Sequence, residues 1–457
     1  MKNKTMTYEK SFFLLVGIIG FIMLFLIPTW QTPDELTHLK IIGSSIRNER
    51  FSELLLKDLG FEENEVVLAP DERVDLKQQE ELLLKTPSYS RKEVLPHGIS
   101  ISIISHFPST MGMIIAIIIG LPTYWVLQVG EFFSLIFYLF VCYYSLTIMP
   151  IKKGPFAICM ALPMALQQAG SIGYDAVELS LCFFFISYIF FLKYKESYIV
   201  LKDICILIAC WMLITYIKIP YTFLILLIFL VPLEKYHFSI AGIMVNDKFI
   251  KKWFIPVCII GIIVMCSAIY VLRDNRWIQV VYGCIMEWKR TLYLFQQTII
   301  FWGKDLLVGI VGRFGWLDIS MNLISVIVVY VFMLFIAVAG TDGNKKFNIK
   351  DKVIVVLTIA ALFAVTMLSM VNHTIMVTLY GSEFIDATYN IREALYQIPY
   401  IGGVQGRYFL PILPLVFLLI PQFKEISKKR MCIIVSVFEV ILAIYVCSLF
   451  VNRYWIL

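Results

Sequence analysis

The chain has 457 residues, of which 60% are hydrophobic and 16% are charged, and its mean hydropathy is +0.81. Because soluble domains carry about a quarter charged residues, this composition excludes a water-soluble globular protein, and no alternating ten-residue pattern indicates a membrane barrel. The formal net charge of +6 comes from short basic clusters between apolar runs, which is typical of inward-facing loops and not of nucleic-acid binding. The ten cysteines show neither metal-ligand spacing nor a disulfide framework. We therefore predict an all-α integral membrane protein.

Apolar runs of helical length predict about eleven membrane-spanning helices. They lie near residues 11–30, 126–148, 154–172, 177–194, 203–217, 220–233, 253–272, 320–340, 353–371, 406–421 and 431–451. The first run follows a basic N-terminus and lacks a small-residue cleavage site, so we predict a retained span and not a signal peptide. Residues 203–233 are predicted to form a hairpin of two short helices, because Ile219-Pro220 interrupts the run.

Six basic clusters set the predicted orientation, because cytoplasmic loops of membrane proteins are rich in lysine and arginine. All six fall on one side of the eleven-span path: Lys2/Lys4/Lys10, Lys152/Lys153, Lys193/Lys195/Lys202, Lys235/Lys248/Lys251/Lys252, Lys345/Lys346/Lys350/Lys352 and Lys424/Lys428/Lys429/Arg430. The N-terminus is then inside and the C-terminus outside. The apolar segment 98–128 is predicted to be interfacial or re-entrant, since a further span there would move five of these clusters outside.

The predicted organisation is a single polytopic membrane domain over residues 1–457 with external segments at 31–125, 273–318 and 372–405. The first external segment is a long acidic loop after the first helix, with predicted helical stretches at Phe51–Leu59 and Asp75–Lys85. Loops of this length are usually functional. Its polar residues are therefore the first candidates for chemistry.

The motif Pro33–His38, which reads PDELTH, directly follows the first predicted span. Asp34 and Glu35 provide two adjacent carboxylates, and His38 stands one helical turn beyond Asp34 on the same predicted helix face. A carboxylate here can take a proton from an acceptor hydroxyl while its neighbours hold a phosphate or a metal ion. The alternative is ordinary capping, in which acidic residues stabilise the positive end of a helix that begins at a proline.

Asp175 follows the Gly173-Tyr174 turn between the third and fourth predicted spans, on the same side of the membrane as Asp34. The two carboxylates could therefore line one pocket or share a cation, with His38 as a further ligand or as a group that orients the base. An acidic residue at a helix start is also explained by the helix dipole, so both interpretations stay open.

Two cationic residues lie where predicted helices meet the outer membrane surface. Lys218 stands between the two helices of the predicted hairpin, and Arg407 lies with Gln405 in the glycine-rich stretch Gly402–Pro411. A lysine and an arginine at this depth suit the phosphate of a lipid-linked substrate. Alternatively, Lys218 snorkels to the interface, and Arg407 forms a structural pair with an aspartate or anchors its helix.

Four motifs give the chain a family resemblance: PDE…H at Pro33–His38, GYDA at Gly173–Ala176, GWLD at Gly315–Asp318 and GVQGRYFLP at Gly403–Pro411. On these motifs the chain resembles an uncharacterised family of bacterial polytopic membrane proteins that is grouped with the GT-C glycosyltransferases. GVQGRYFLP is the most specific of the four. The range from the first motif to the last, Pro33 to Pro411, covers most of the chain.

The resemblance implies a GT-C-like fold and inverting transfer of a sugar from a polyprenyl-phosphate donor to an extracytoplasmic cell-envelope glycan or lipid. It implies that Asp34, or Glu35 as the second choice, is the catalytic base. Lys218, Arg407 and Gln405 would then bind the donor phosphate. The expected location is the bacterial cytoplasmic membrane with the active site on its outer face. The resemblance names no cofactor, and the dependence on a divalent cation, the sugar and the acceptor stay open.

Three alternatives to a glycosyltransferase also stay open. A glycan polymerase would use a lipid-linked oligosaccharide as donor in the same compartment. A flippase or transporter predicts ionisable residues inside the spans, where Glu439 is the clearest example in the sequence. A non-catalytic envelope-assembly protein predicts no turnover with any donor.

Overall fold

The computed structural model describes residues 8–61, 68–69, 72–340, 347–380, 390–423 and 426–456. These residues are mostly helical, which confirms the predicted all-α class. The helices are α1 (Tyr8–Ser11), α2 (Gly17–Leu26), α3 (Glu35–Ser45), α4 (Phe51–Leu59), α5 (Leu76–Leu84), α6 (Arg91–Val94), α7 (Ile103–Ile119), α8 (Thr123–Ile148), α9 (Lys153–Ala161), α10 (Pro163–Ala169), α11 (Asp175–Tyr194), α12 (Leu201–Ile217), α13 (Asp247–Val271), α14 (Arg276–Met286), α15 (Trp288–Val311), α16 (Leu323–Val338), α17 (Ile349–Ile375), α18 (Ile391–Gln397), α19 (Leu413–Leu418) and α20 (Lys428–Tyr454).

Shorter elements connect these helices. The 3-10 segments are Ile219–Leu230, Leu233–Lys235 and Gly406–Phe409, and the π-helical turns are Phe12–Val16 and Met376–Tyr380. The strands form two antiparallel pairs, β1 (Phe238–Ile240) with β2 (Ile243–Val245) and β3 (Arg313–Phe314) with β4 (Ile319–Ser320). The predicted helices of the long external loop are confirmed as α4 and α5.

Within the described residues, five helices are long and apolar enough to cross a membrane: Thr123–Ile148, Asp175–Tyr194, Trp288–Val311, Ile349–Leu379 and Lys429–Tyr454. Four of them coincide with predicted spans. The helix Trp288–Val311 instead lies in the segment 273–318, which the sequence placed outside the membrane. Shorter apolar helices lie at Phe12–Leu26, Ile103–Ile119, Ile219–Leu230 and Leu323–Val338. The number of eleven spans and their orientation therefore stay predictions.

Some predicted features fall outside the described residues. They are Lys2, Lys4, Lys345, Lys346 and Lys424 of the basic clusters, and residues 62–67, 70–71 and 381–389 of two external segments.

The chain divides into two compact units, and the predicted single-domain organisation stays a prediction. The first unit comprises Met1–Tyr188, Val308–Lys346 and Leu413–Leu457, and the second comprises Ile189–Leu307 and Phe347–Ile412. In the first unit, α3 and α4 bury an apolar cluster against α7 and α8 that includes Leu39, Ile42 and Phe51. This cluster anchors the helix that begins at the PDE motif.

The segment predicted to be interfacial or re-entrant contains α7, which packs along α8 through two glycines. A Cβ on Gly112 would lie 2.6 Å from the Val129 carbonyl oxygen, and one on Gly130 would lie 2.8 Å from Met113. Small residues of this kind let helix backbones approach closely. The turn between the helices uses Gly120, whose φ of +79° lies in the left-handed region.

We expect Gly112→Ala to lower the free energy of unfolding by about 1–3 kcal/mol, because the added methyl group meets backbone that cannot rotate away. Thermal unfolding of the purified protein in detergent measures this change. Gly261→Ala is the matched control, because nothing lies within 4 Å of a Cβ there and alanine favours helix. Equal melting temperatures for Gly112→Ala and the parent would contradict the close helix packing.

Candidate functional site

The chain makes a strained turn between α2 and α3. Trp30 has a φ of 74° and Asp34 a φ of 72°, and neither residue is glycine. Left-handed backbone costs such residues about 1 kcal/mol or more, so it persists only where the surroundings impose it. Part of the restraint comes from the GWLD motif, because Trp316 Nε1 donates a 2.8 Å hydrogen bond to the Trp30 carbonyl. The side chain of Asp34 is exposed at the end of this turn.

The buried stripe of α3 carries two polar residues among its apolar ones. Glu35, His38, Leu39 and Ile42 follow the i, i+3, i+4, i+7 spacing of a helix face, and all four are buried. Asp34, which precedes the helix, is exposed. The PDELTH motif therefore presents one carboxylate to the exterior and turns another, together with the imidazole, into the protein.

Glu35 joins the PDE motif to the turn before α11. Its side chain is 3% exposed, and its carboxylate accepts hydrogen bonds of 3.3 Å from the backbone N–H groups of Thr32 and Ile172. Burial raises the pKa of Glu35 to about 8, although the hydrogen bonds from Thr32, Ile172 and Trp30 favour the ionised form. Near neutral pH this side chain therefore holds a proton in a substantial part of the molecules.

A second buried acid, Glu131 of α8, lies near Glu35. Both line a cavity of about 10 Å³, which has room for a single water molecule. Gln128 Nε2 donates to Glu131 Oε2 at 3.1 Å. Among the described residues, Glu131 Oε1 and Gln167 Nε2 have no hydrogen-bond partner although both are buried. An ionised carboxyl group is costly to bury, and a second one nearby adds to that cost.

Sequence reasoning missed Glu131 and Gln167. Glu131 is the one charged residue of the predicted span 126–148, and Gln167 lies beside Gln168 in the predicted span 154–172. An acidic residue inside an apolar run is a functional signal in membrane proteins, and this signal could have identified Glu131. Gln167 has no comparable signal, because a glutamine side chain carries no charge.

His38 is hydrogen-bonded to His106 of α7, another residue that the sequence did not assign. His38 Nδ1 lies 3.0 Å from His106 Nε2, and His106 Nδ1 lies 2.8 Å from Ser105 Oγ. Ser105 Oγ donates its proton to the Ser102 carbonyl at 3.0 Å, so it accepts from His106 Nδ1–H. His106 Nε2 then accepts from His38 Nδ1–H. His38, His106 and Ser105 thus form one continuous chain of hydrogen bonds from α3 to α7.

The GYDA motif lies against this histidine pair. A Cβ built on Gly173 would lie 3.7 Å from His38 Nε2 and 3.6 Å from Asp175 Oδ2, so both side chains border the same small space. The ring of Tyr174 packs edge-on against His38 with centroids 4.8 Å apart. The structure thus places Asp175 beside His38 of the PDE motif, and the pairing of Asp175 with Asp34 stays a prediction.

Within the described ranges, no group of three or more His, Cys, Asp and Glu side chains is arranged to hold a metal ion. Asp175 and His38 supply two of the donors that a cation would need there. Further donors would have to come from water or from a substrate, so the dependence on a divalent cation stays open.

The second unit contains the two predicted phosphate-binding cations. Lys218 lies between α12 and the 3-10 segment Ile219–Leu230. The two segments are joined by a 2.9 Å hydrogen bond from Trp211 Nε1 to the Thr222 carbonyl. The predicted hairpin with a break near Pro220 is therefore confirmed. Lys218 is half-buried, as expected for a cation at a membrane interface.

Arg407 and Lys218 share one aromatic ring. Lys218 Nζ lies 4.4 Å from the ring centre of Tyr408, and the guanidinium carbon of Arg407 lies 5.6 Å from the same centre. The hydroxyl of Tyr221 donates to the Tyr408 carbonyl at 2.8 Å and fixes this arrangement. Arg407 is only 7% exposed. We call Lys218 and Arg407 the cation pair.

Gln405 begins the short 3-10 turn that carries Arg407. Its carbonyl accepts from Tyr408 N at 3.1 Å, while its side-chain Oε1 is buried and has no hydrogen-bond partner among the described residues. Gly403, two residues earlier, has a φ of +73°, which the chain can adopt here because the residue is glycine. The GVQGRYFLP motif therefore positions two of the three predicted phosphate-binding residues.

Comparison with known proteins finds no match among curated proteins and none among solved structures. A family model does match, over residues 15–416, and this range contains all four motifs and both groups of candidate residues. The chain belongs to the family described as "Predicted membrane protein (DUF2142)" and is a membrane protein with several apolar helices.

Proposed function

We propose that this protein is a glycosyltransferase that moves a sugar from a polyprenyl-phosphate donor to a hydroxyl group of an extracytoplasmic cell-envelope glycan or lipid. The main support is the exposed carboxylate of Asp34, which a strained backbone holds beside the buried pair Glu35 and His38. Strain of this kind collects at functional sites. The motif resemblance to GT-C enzymes gives the same residue the role of base.

In the proposed reaction, Asp34 takes the proton of the acceptor hydroxyl as its oxygen attacks the anomeric carbon of the donor sugar. The bond between that carbon and the phosphate oxygen breaks, and polyprenyl phosphate leaves with the electron pair. The attack comes from the face opposite the phosphate, so the anomeric configuration inverts. Glu35, His38 and Asp175 hold the turn and its charges in place.

The cation pair supports binding of the donor phosphate. Lys218 and Arg407 both lie close to the ring of Tyr408, so two positive charges stand in the same part of the second unit and attract an anion. A guanidinium offers planar, two-pronged hydrogen bonding that suits phosphate oxygens, and an ammonium group adds a compact charge. The developing charge on the leaving phosphate would be stabilised in the same way.

The direct test uses the purified protein in lipid nanodiscs with a radiolabelled polyprenyl-phosphate sugar and cell-wall glycan or lipid acceptors. Transfer of one labelled sugar residue per acceptor supports the proposal. Products that grow in repeating units would favour a polymerase, and no turnover with any donor would favour a non-catalytic assembly protein.

We expect Lys218→Gln to lower kcat/KM for the lipid-linked donor by about tenfold or more, because a charged hydrogen bond to phosphate is worth roughly 1.5–3 kcal/mol. Steady-state kinetics in nanodiscs measures the change. Lys252→Gln is the matched control, since Lys252 also lies over an aromatic ring, at 5.9 Å from the centre of Trp253, but is exposed. An equal decrease of kcat/KM in Lys218→Gln and Lys252→Gln would show that Lys218 has no specific role in binding the donor phosphate.

A flippase is the second candidate, and a specific observation favours it. Glu131, Glu178 and Glu439 are buried within helices that could cross the membrane. Ionisable residues inside such helices mark transport pathways in many membrane proteins. Movement of a fluorescent lipid-linked sugar across proteoliposomes, without transfer to an acceptor, would identify this activity in place of glycosyl transfer.

A further inference from the structure

A pocket of about 420 Å³ lies in the first unit, apart from the cavity between Glu35 and Glu131. Its walls come from the turn Pro28–Gln31, the end of α4, the residues that lead into α5, and the start of α8. Pockets of roughly 300–1,000 Å³ hold small organic ligands, and this volume suits one or two sugar rings. We call it the acceptor pocket.

The polar lining of the acceptor pocket matches a ligand rich in hydroxyl groups. Gln31, Gln78 and Gln79 line it, and a glutamine side chain both donates and accepts hydrogen bonds, as a hydroxyl group does. The apolar part of the lining includes Leu82 and the ring of Tyr124. A sugar ring has apolar faces and polar edges. Its faces can pack on the apolar part of the lining while its hydroxyl groups bond to the glutamines.

The charges around the acceptor pocket disfavour an anionic ligand. Among the described residues of the lining, Glu72 and Asp75 contribute carboxylates and Arg73 contributes a cation. The guanidinium of Arg73 already donates to the carbonyl oxygens of Ile456 at 3.0 Å and of Glu72 at 2.9 Å. The described lining residues thus carry two carboxylates against one guanidinium, and this excess of negative charge disfavours the phosphate of the donor relative to an uncharged molecule.

We propose that the acceptor pocket binds an uncharged saccharide of one or two rings. The strained turn Trp30–Asp34 contributes Trp30 and Gln31 to the pocket wall and carries Asp34 at its other end. A saccharide in the pocket thus contacts the same turn that holds the proposed base. The role of this saccharide as the acceptor rests on the proposed function, whereas the binding of a saccharide in the pocket does not.

The test measures saccharide binding by the full-length protein in nanodiscs, with saturation-transfer NMR and titration calorimetry. The probes are glucose, galactose, N-acetylglucosamine and cellobiose, and glucose 6-phosphate is the anionic counterpart of glucose. We expect saturable binding of at least one neutral sugar, and binding of glucose 6-phosphate at least about tenfold weaker than that of glucose.

Two substitutions locate the site. Gln78→Ala should weaken binding about three- to tenfold by removing hydrogen bonds, and Gln78 is exposed, so its loss should not affect folding. Gln397→Ala is the matched control, an exposed glutamine in the second unit. Glu72→Gln should narrow the difference between glucose and glucose 6-phosphate, because it removes one carboxylate.

Absence of binding for all four neutral sugars, or binding that Gln78→Ala leaves unchanged, would overturn the inference. Binding of glucose 6-phosphate as tight as that of glucose, or tighter, would show that the ligand of the pocket is not restricted to uncharged saccharides. Glycosyl transfer without saccharide binding in this pocket would refute the pocket assignment and leave the proposed function intact. Saccharide binding without transfer from any lipid-linked donor would refute the proposed function and leave the pocket assignment intact.

Discussion

Asp34→Asn should reduce the rate of sugar transfer by about 10²- to 10⁴-fold while the protein stays folded, since a general base contributes about that factor. Asparagine has the size of aspartate but cannot take the proton of an acceptor hydroxyl. It is also among the side chains that best tolerate a left-handed backbone, and Asp34 has a φ of 72°. The substitution therefore removes the carboxylate without removing the conformation.

Single-turnover transfer from a radiolabelled donor in nanodiscs measures this rate, and thermal unfolding checks the fold. Asp34→Ala is a useful comparison, because alanine tolerates the left-handed backbone less well and should lower the melting temperature as well as the rate. Glu53→Gln is the control for loss of an exposed acid from the same external segment. A parental rate in correctly folded Asp34→Asn would exclude Asp34 as the base.

The fold could be predicted where the apolar pattern is unbroken. The spans predicted at 126–148 and 177–194 appear as α8 and α11 with ends that differ by a few residues. The helix Trp288–Val311 lies in a segment that was placed outside the membrane. Lys289, Arg290, Lys304 and Asp305 lie near its ends and leave a short uncharged run between them. Its helical continuity is visible only in the structure.

The candidate site could be predicted only in part, for a related physical reason. Asp34 and Asp175 were grouped because the orientation of the spans put them on one side, and the structure brings Asp175 to His38. Glu131 was not singled out within its apolar run, and His106 was not assigned because the sequence does not show which histidines join a site. Their burial and hydrogen bonds, which depend on how α7 and α8 pack against α3, identify them.

A pH dependence of stability should follow from the buried carboxyl group of Glu35. The pKa of Glu35 is about 8 in the folded protein and 4.5 in the unfolded chain. Below pH 4.5 the group is therefore protonated in both states, and its contribution to the free energy of unfolding is fully present. Between these values unfolding releases a proton, and stability falls as the pH rises. Since each unit of pKa is worth about 1.4 kcal/mol, the total loss up to pH 8 is on the order of 5 kcal/mol.

Glu35→Gln should remove this pH dependence and reverse the order of stability. The carboxyl group of Glu35 meets the N–H groups of Thr32 and Ile172 with two separate oxygens, whereas the introduced amide has a single acceptor oxygen, so the variant should be less stable than the parent at pH 5 by about 1–3 kcal/mol. At pH 8 the parent has lost more than this through ionisation of Glu35, so the variant should be the more stable protein. Melting temperatures in detergent at pH 5, 6, 7 and 8 test the crossing, with Glu53→Gln as the control. Parallel curves for Glu35→Gln and the parent would show that burial does not raise the pKa of Glu35 in the folded protein.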